Sequence, residues 1–286
     1  MSKLELFART ETGCVRERNE DAFVIASLAR GERGLVPRIR IQELVGASAL
    51  VAVCDGMGGA TAGDVAARLA TDSLYGSMML ARPFVDALAL QRALLVAVTE
   101  AHSTVVDHAR RHEDCRGMGT TMTAGAVFET DLHLVHVGDS RAYLRRGRVL
   151  QQLTSDHTLV EKMVADGVLS AAEAPECEHR NVLLQALGLG TEIVPESVST
   201  SIFAGDVLLI CSDGLTGPLS DRQILDVMLC HEDPMRCARA LTEAACASGG
   251  PDNVTVAVGH FVGEGLPAPG LREPIVAHRS QHQLPR

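Results

Sequence analysis

The chain has 286 residues, 46% of them hydrophobic, and a formal charge of −10, which allows one large or two small domains with a substantial core. That acidity argues against a general nucleic-acid surface, where a basic patch is needed, and suits a site that takes divalent cations. No signal peptide and no eighteen-residue apolar span is evident, and the eight cysteines contain no Cys-x-x-Cys pair, so a cytoplasmic monomer with mostly buried free thiols and no membrane contact is expected.

In chain order, residues 4–9 and 22–27 read as strands around a charged loop that carries Arg16, Glu20 and Asp21. Residues 28–47 hold Gly, Pro and four arginines and read as a surface insertion. Strand 49–54 follows, an apolar run that breaks at Asp55-Gly56-Met57-Gly58-Gly59 and so delivers a carboxylate to its exposed end. Glycine lacks a Cβ, so this turn can bend sharply and bring its carbonyls close to a ligand. Small and apolar residues at helical spacing predict helices over 61–80 and 85–112. His102, His108 and His112 on the second read as a solvated polar face.

The period changes over 119–152, where short apolar runs separated by polar or glycine breaks predict antiparallel hairpins. Residues 155–193 are polar and mixed, with helical pieces near 158–166 and 183–187, and form the expected mobile segment. Strand 206–212 ends on Ser212-Asp213-Gly214, repeating the arrangement at Asp55. Helices near 221–230 and 234–248 and a closing strand 253–262 complete the pattern, and residues 263–286 are expected to be a disordered tail. Two blocks of strands with helices between and after them predict an α+β fold of two antiparallel sheets flanked by helices.

Asp55, Asp213 and Asp252 stand at strand or turn ends, with Glu20-Asp21 and Asp139 as further acids. Each alone would serve to cap a turn. Together they suggest a cage for hard cations such as Mg²⁺ or Mn²⁺, which take oxygen ligands and relieve the repulsion among carboxylates. Glu20 and Asp21 are adjacent, so in an extended segment they point opposite ways and take different roles. A cation-bridging hydroxide can attack phosphorus, and Arg16 is placed to hold phosphate oxygens in a fork.

The order Gly13-Cys-Val-Arg-Glu-Arg-Asn-Glu-Asp21, Asp55-Gly-Met-Gly-Gly59, Gly119-Thr-Thr121, Val137-Gly-Asp-Ser-Arg141, Leu153-Thr-Ser-Asp-His157, Ala186-Leu-Gly188, Ser212-Asp-Gly214 and Asp252-Asn-Val-Thr255 resembles the bacterial branch of the type-2C, metal-dependent Ser/Thr protein phosphatases. The resemblance runs over roughly residues 4–262, taken as one catalytic domain with a flap at about 155–193. It implies a four-layer α-β-β-α sandwich with two Mn²⁺ or Mg²⁺ ions at one end of the sheets. Asp55 would bridge them, Asp213 and Asp252 would complete the first site, and Glu20 and the Gly56 carbonyl would serve the second. Asp21 would hold metal-bound waters, Arg16 the substrate phosphate, and Asp139 with Asp213 a third, weaker site. Some positions depart from the family pattern: Glu11 for Asp, Cys177-Glu178 for a more usual His-Pro, Gln185 for a frequent arginine. Met57 is usual in bacterial relatives, where eukaryotic ones carry a histidine. The implied activity is dephosphorylation of phosphoserine and phosphothreonine in proteins that a Ser/Thr kinase has modified. The alternatives are hydrolysis of another phosphoester and a catalytically silent phosphoprotein-binding module.

Overall fold

The computed structural model describes residues 1–34, 40–58, 62–170, 172–174, 177–179, 182–270 and 273–282. Its strands are β1 (Lys3–Glu11), β2 (Ala22–Ser27), β3 (Glu32–Arg33), β4 (Arg40–Glu43), β5 (Ala47–Cys54), β6 (Gly56–Met57), β7 (Gly119–Thr120), β8 (Met122–Phe128), β9 (Asp131–Val137), β10 (Arg141–Arg146), β11 (Val149–Gln152), β12 (Glu196–Ser201), β13 (Val207–Cys211), β14 (Val254–Val262) and β15 (His278–Gln281). The helices are α1 (Gly63–Leu80), α2 (Ala87–Arg111), α3 (Leu159–Ala165), α4 (Asp213–Thr216), α5 (Asp221–Cys230) and α6 (Pro234–Ala247).

The strands form a six-stranded sheet in the order β11-β10-β13-β14-β1-β4 and a seven-stranded sheet in the order β15-β12-β9-β8-β5-β2-β3. The two stack face to face over a core that includes Leu4, Leu6, Ile25, Val51, Val53, Leu134, Leu208, Ile210 and Phe261. Helices α1 and α2 cover the outer face of the seven-stranded sheet, where Ala66, Ala67 and Ala70 let α1 sit close to Val24, Leu50 and Ala52. Helices α5 and α6 cover the other outer face through Ile224, Met228 and Leu241 against Leu209, Val256 and Val258. The four layers of the α-β-β-α sandwich are therefore all present. Central strands are covered on both faces, which explains why 49–54 and 207–211 read as unbroken apolar runs rather than alternating ones. Helix starts follow their capping residues: Asp86 for α2, a Ser220–Gln223 capping box for α5, and Asp233 ahead of Pro234 for α6.

Several expectations need correction. The 28–47 segment is more than a surface insertion, since β3 pairs with β2 and β4 pairs with β1. Gln42 and Leu44 turn inward while Ile41 and Glu43 face out, so hydropathy alone could not reveal the strand. Residues 35–39 of that segment, Gly59 and Thr61, and Arg180-Asn181 in the flap lie outside the described residues. No helix forms at 183–187; instead Leu183 bridges to Thr158 and Leu187 to Thr120. The stretch places isolated bridges where its apolar spacing imitated a turn of helix. His102 is buried rather than solvated, its Nδ1 accepting the Gly188 N–H at 3.2 Å, while His108 and His112 stack at 4.2 Å. Of the cysteines, four are buried and Cys14 and Cys230 are exposed. Among the described residues no helix is long and apolar enough to cross a membrane.

The tail is corrected as well. Residues 278–281 form β15 on the edge of β12, and Leu266 and Ile275 plug the inter-sheet core. Two lone apolar residues carry no readable period, so the sequence concealed this. Arg146 completes the anchor. Its guanidinium donates to both carboxylate oxygens of the fully buried Asp206 at 2.7 and 2.9 Å and to the Pro274 carbonyl at 2.8 Å. A buried pair of this kind is costly to break on one side, because the remaining charge stays in an apolar setting. We predict that Asp206→Ala lowers unfolding free energy by ~3–5 kcal/mol in urea titrations, well beyond a typical surface substitution. A loss within ~0.5 kcal/mol, the range of unimportant surface changes, would show that Arg146 finds water instead.

Candidate metal centre

Strand register places the chemistry. In one sheet Ala22 pairs with Cys54, Val53 with Thr123 and Met122 with Val137. In the other, Arg141 and Val256 both pair with Cys211, and Glu11 pairs with Val254. Antiparallel pairing therefore brings the start of β2, the end of β5, the β9–β10 turn, the end of β13 and the start of β14 to one pole of the sandwich. Glu20 and Asp21, Asp55, Asp139, Asp213 and Asp252 occupy those five places in turn. They surround a polar cleft of about 670 Å³, also lined by Arg16, Gly56, Met57 and, from the flap, Leu183. Asp21 lies behind the cleft wall rather than on it.

Backbone approach there is tight. A Cβ on Gly56 would stand 2.2 Å from the Gly63 carbonyl and 2.5 Å from that of Glu20, so only glycine lets the turn pass between β2 and α1. At Gly13, φ is +78° and a Cβ would meet the Asp252 carbonyl at 2.2 Å, which seats the Arg16 loop against the β14 start. Arg16 then donates from Nη2 to Asp252 Oδ2 at 2.7 Å. The guanidinium expected to hold phosphate is thus engaged with one of the acids expected to hold a metal.

The residues that hold these groups were not singled out from sequence. Asn253 accepts the Glu20 N–H at 2.8 Å and donates to the Thr12 and Arg18 carbonyls at 2.9 and 2.8 Å, fastening the Arg16–Glu20 loop to β14. Ser212 donates to Asp21 Oδ2 at 2.8 Å and accepts the Thr255 N–H at 3.0 Å. Thr121 Oγ1 accepts the Asp55 N–H at 3.0 Å and shares a 2.5 Å contact with Ser140 Oγ. Beneath the Asp139 turn, Thr123 Oγ1 donates its one proton to the Ser140 carbonyl at 2.7 Å, so the 2.8 Å contact to His136 has Nδ1 as donor. Arg141 forks onto Asp156 with 2.7 and 2.9 Å contacts, pinning the start of the flap. The available signals were Asn253 directly after Asp252 and the Thr-Thr and Asp-Ser pairs, all ordinary in turns.

Electrostatics reflect the crowding. Burial, then repulsion from Asp21 and Asp213, holds Asp55 well above the usual carboxylate range. Asp21 is pushed up to about 7, by burial first and only partly offset by hydrogen bonds from Thr255 and Ser212. Asp139 also rises to about 7 through burial and the nearby Asp213 and Asp156. Glu20 and Asp213 are raised as well, each chiefly by burial.

Two buried oxygens, Asp21 Oδ1 and Asp213 Oδ1, have no hydrogen-bond partner. Buried carboxylate oxygens without donors, beside repelling neighbours, are what a cation satisfies. Among the described residues, no three His, Cys, Asp or Glu side chains are already closed around a single point. The acids instead ring an open cleft, an arrangement suited to ions such as Mg²⁺ that keep several waters and few protein ligands. The donor set is all oxygen, which selects hard cations over zinc or copper.

A family model, Protein phosphatase 2C, matches residues 38–242. The chain belongs to the protein phosphatase 2C family. The serine/threonine protein phosphatase PstP of Mycobacterium tuberculosis is 38% identical over 255 residues, 89% of this chain and 48% of that protein. This 2C-type chain thus spans about half the length of the first relatives it matches. The serine/threonine phosphatase Stp of Listeria monocytogenes is 31% identical and is covered over 92% of its length, with 87% of this chain aligned. Among solved 2C-type structures, M. tuberculosis PstP superposes with a TM-score of 0.78 at 35% identity, covering 91% of this chain and all of that one. The PstP catalytic domain solved with two manganese ions gives 0.75 at 36% identity, covering 92% of this chain and all of that one.

The raised carboxylates make a stability prediction whose sign can be worked out. Asp21 and Asp139 bind their protons up to about 7 in the fold, whereas an unfolded carboxyl lets go near ~3.9. Between those values the native state holds more protons, so metal-free stability falls as pH rises and levels off above about 7. We predict a melting temperature that declines from roughly pH 4.5 to 7.5 in chelator, bracketing that interval. Added Mn²⁺ should restore it most at the upper end. Superimposable melting curves with and without Mn²⁺ at neutral pH would count against a cation in this cleft.

Proposed function

We propose that the chain hydrolyses phosphoserine and phosphothreonine in proteins that a Ser/Thr kinase has modified, at the acidic pole and with Mn²⁺ or Mg²⁺ bound. The observation that most favours this reading is the convergence of Glu20, Asp55, Asp139, Asp213, Asp252 and Arg16 on one open cleft, with Asp21 behind its wall. The names of the bacterial 2C-type relatives supply the substrate class.

Asp55, Asp213 and Asp252 are the candidate holders of one cation, Asp55, Glu20 and the Gly56 carbonyl of a second, and Asp139 with Asp213 of a weaker third. Bound divalent cations supply charge that activates a water and offsets the phosphoryl oxygens. The chain's own groups do the rest. Asp21, set back and held by Ser212, orients water from behind. Its raised proton affinity suits a group that shares protons with that water. Arg16 binds the phosphate, and its present partner matters here. Were Asp252 to hold a cation, its 2.7 Å pair with Arg16 would weaken and the Arg16 fork would be free for the substrate phosphate. The cleft is wide and polar rather than apolar, which suits a phosphorylated segment of protein. Met57, half-buried at its rim, offers no proton to a leaving serine alkoxide, so that proton comes from water.

Two sets of variants test the reading. Asp55→Asn and Asp213→Asn should each lower phosphopeptide kcat/KM by ~10²-fold or more, since each removes charge from the cation site, while circular dichroism stays native. Wild-type turnover by Asp213→Asn at limiting metal would sink the assignment. Arg16→Ala should raise KM for phosphopeptides more than it lowers kcat, because a phosphate fork serves ground and transition states alike. Phosphopeptides compared with p-nitrophenyl phosphate separate the alternatives. Turnover of the small ester alone would indicate another phosphoester substrate, and phosphopeptide binding without turnover a silent module.

A further inference from the structure

Cys54, Cys115, Cys211 and Cys237 are buried, Cys14 and Cys230 exposed, and Cys177 and Cys246 between. Burial pushes the Cys211 and Cys237 thiols up to about 12, which removes them from thiolate chemistry near neutrality. Burial raises the Cys246 thiol as well, and what sets Cys14 and Cys246 apart is their geometry. Although 232 residues apart in sequence, Cys14 Sγ lies 3.6 Å from the Cys246 carbonyl oxygen. The Cys14 side chain thus lies against the residue that carries the second thiol.

The backbone builds this meeting. The Cys14 N–H donates to the Gly250 carbonyl at 2.8 Å, holding the loop against the end of α6. A Cβ on Gly250 would stand 2.9 Å from Cys14 Sγ and 3.2 Å from the Cys246 Cα. The missing side chain at 250 therefore leaves the space in which Cys14 lies beside Cys246. Two residues further along the loop, Arg16 contacts Asp252, so the cysteine pair sits at the root of the same contact.

We propose that Cys14 and Cys246 are a thiol-modification site that forms a reversible disulfide by exchange with low-molecular-weight disulfides. The exposed Cys14 thiolate attacks one sulfur of the small disulfide RSSR, forms Cys14–S–S–R and expels RS⁻, which takes a proton. The Cys246 thiolate then attacks the Cys14 sulfur and expels the second RS⁻. Two protein thiols are oxidised, and one RSSR is reduced to two RSH. Cys14 reacts first because it is open to solvent. Cys246 resolves the mixed disulfide because its neighbour's sulfur is within reach while a bulky external disulfide is not. The bond ties the Arg16–Glu20 loop to the α6–β14 turn and closes a 232-residue span.

The test uses the whole chain and oxidised glutathione, followed by thiol blocking and peptide mass analysis. The wild type should yield a Cys14–Cys246 linked peptide with no glutathione left on Cys14, revert with dithiothreitol and melt roughly 5 °C higher when oxidised, as a long-span crosslink implies. Cys246→Ser should stop at a stable glutathione adduct on Cys14. Cys14→Ser should form neither adduct nor crosslink at Cys246, and Cys230→Ser should form the Cys14–Cys246 crosslink as the wild type does. Melting curves in reductant verify that each variant folds, with Cys246→Ala as the second choice at that half-buried position. A wild type that keeps its Cys14 adduct unresolved, or whose Cys14 does not react, overturns the proposal.

Discussion

Mutual repulsion among carboxylates held at one end of a protein is the constraint around which this molecule is arranged. Asp55 faces Asp21 and Asp213, and Asp139 faces Asp213, with burial adding to the cost of every charge. Arg16, Arg18 and Arg141 offset this only in part, and Arg16 is paired with Asp252. The acids stay together because each sits at the end of an element whose other end is locked into a core. Such a site is unfavourable for the bare fold and favourable for cation binding, which is how local strain at functional sites generally reads.

The sandwich supplies that lock. Both sheets have both faces covered, so a strand cannot slide without exposing an apolar residue. Adjoining strands are antiparallel, so a single register error would carry a carboxylate away from the pole. Polar side chains then join the two sheets across the site: Asn253 grips the loop before β2, and Ser212 grips Asp21. At the opposite pole, Arg146 and Asp206 hold the returning tail in the same inter-sheet layer. The molecule is thus pinned at both ends of the sandwich.

The Arg16 loop belongs to both the chemistry and the scaffold. Gly13 brings it against the Asp252 carbonyl, Gly250 makes room for Cys14, and Asn253 holds its far end. A loop held this way by backbone contacts presents its guanidinium in a narrow range of positions. That suits phosphate recognition, where misplacement of the binding group is costly.

Much of this was legible in the sequence. Asp55 and Asp213 end unbroken apolar runs and begin glycine turns, and that local pattern locates an acid at an exposed strand end without any knowledge of the fold. The two long helices and the hairpin block follow from hydrophobic period in the same way. The tail was misread because Leu266 and Ile275 act singly, and strand β4 was missed because Gln42 points in while Ile41 points out. The roles of Ser212, Asn253 and Thr121, the pairing of Arg16 with Asp252, and the meeting of Cys14 with Cys246 join residues far apart in the chain. Periodicity and turn chemistry report on neighbours within a few residues. Contacts across two stacked sheets are fixed by register and packing, so tertiary structure alone decided them.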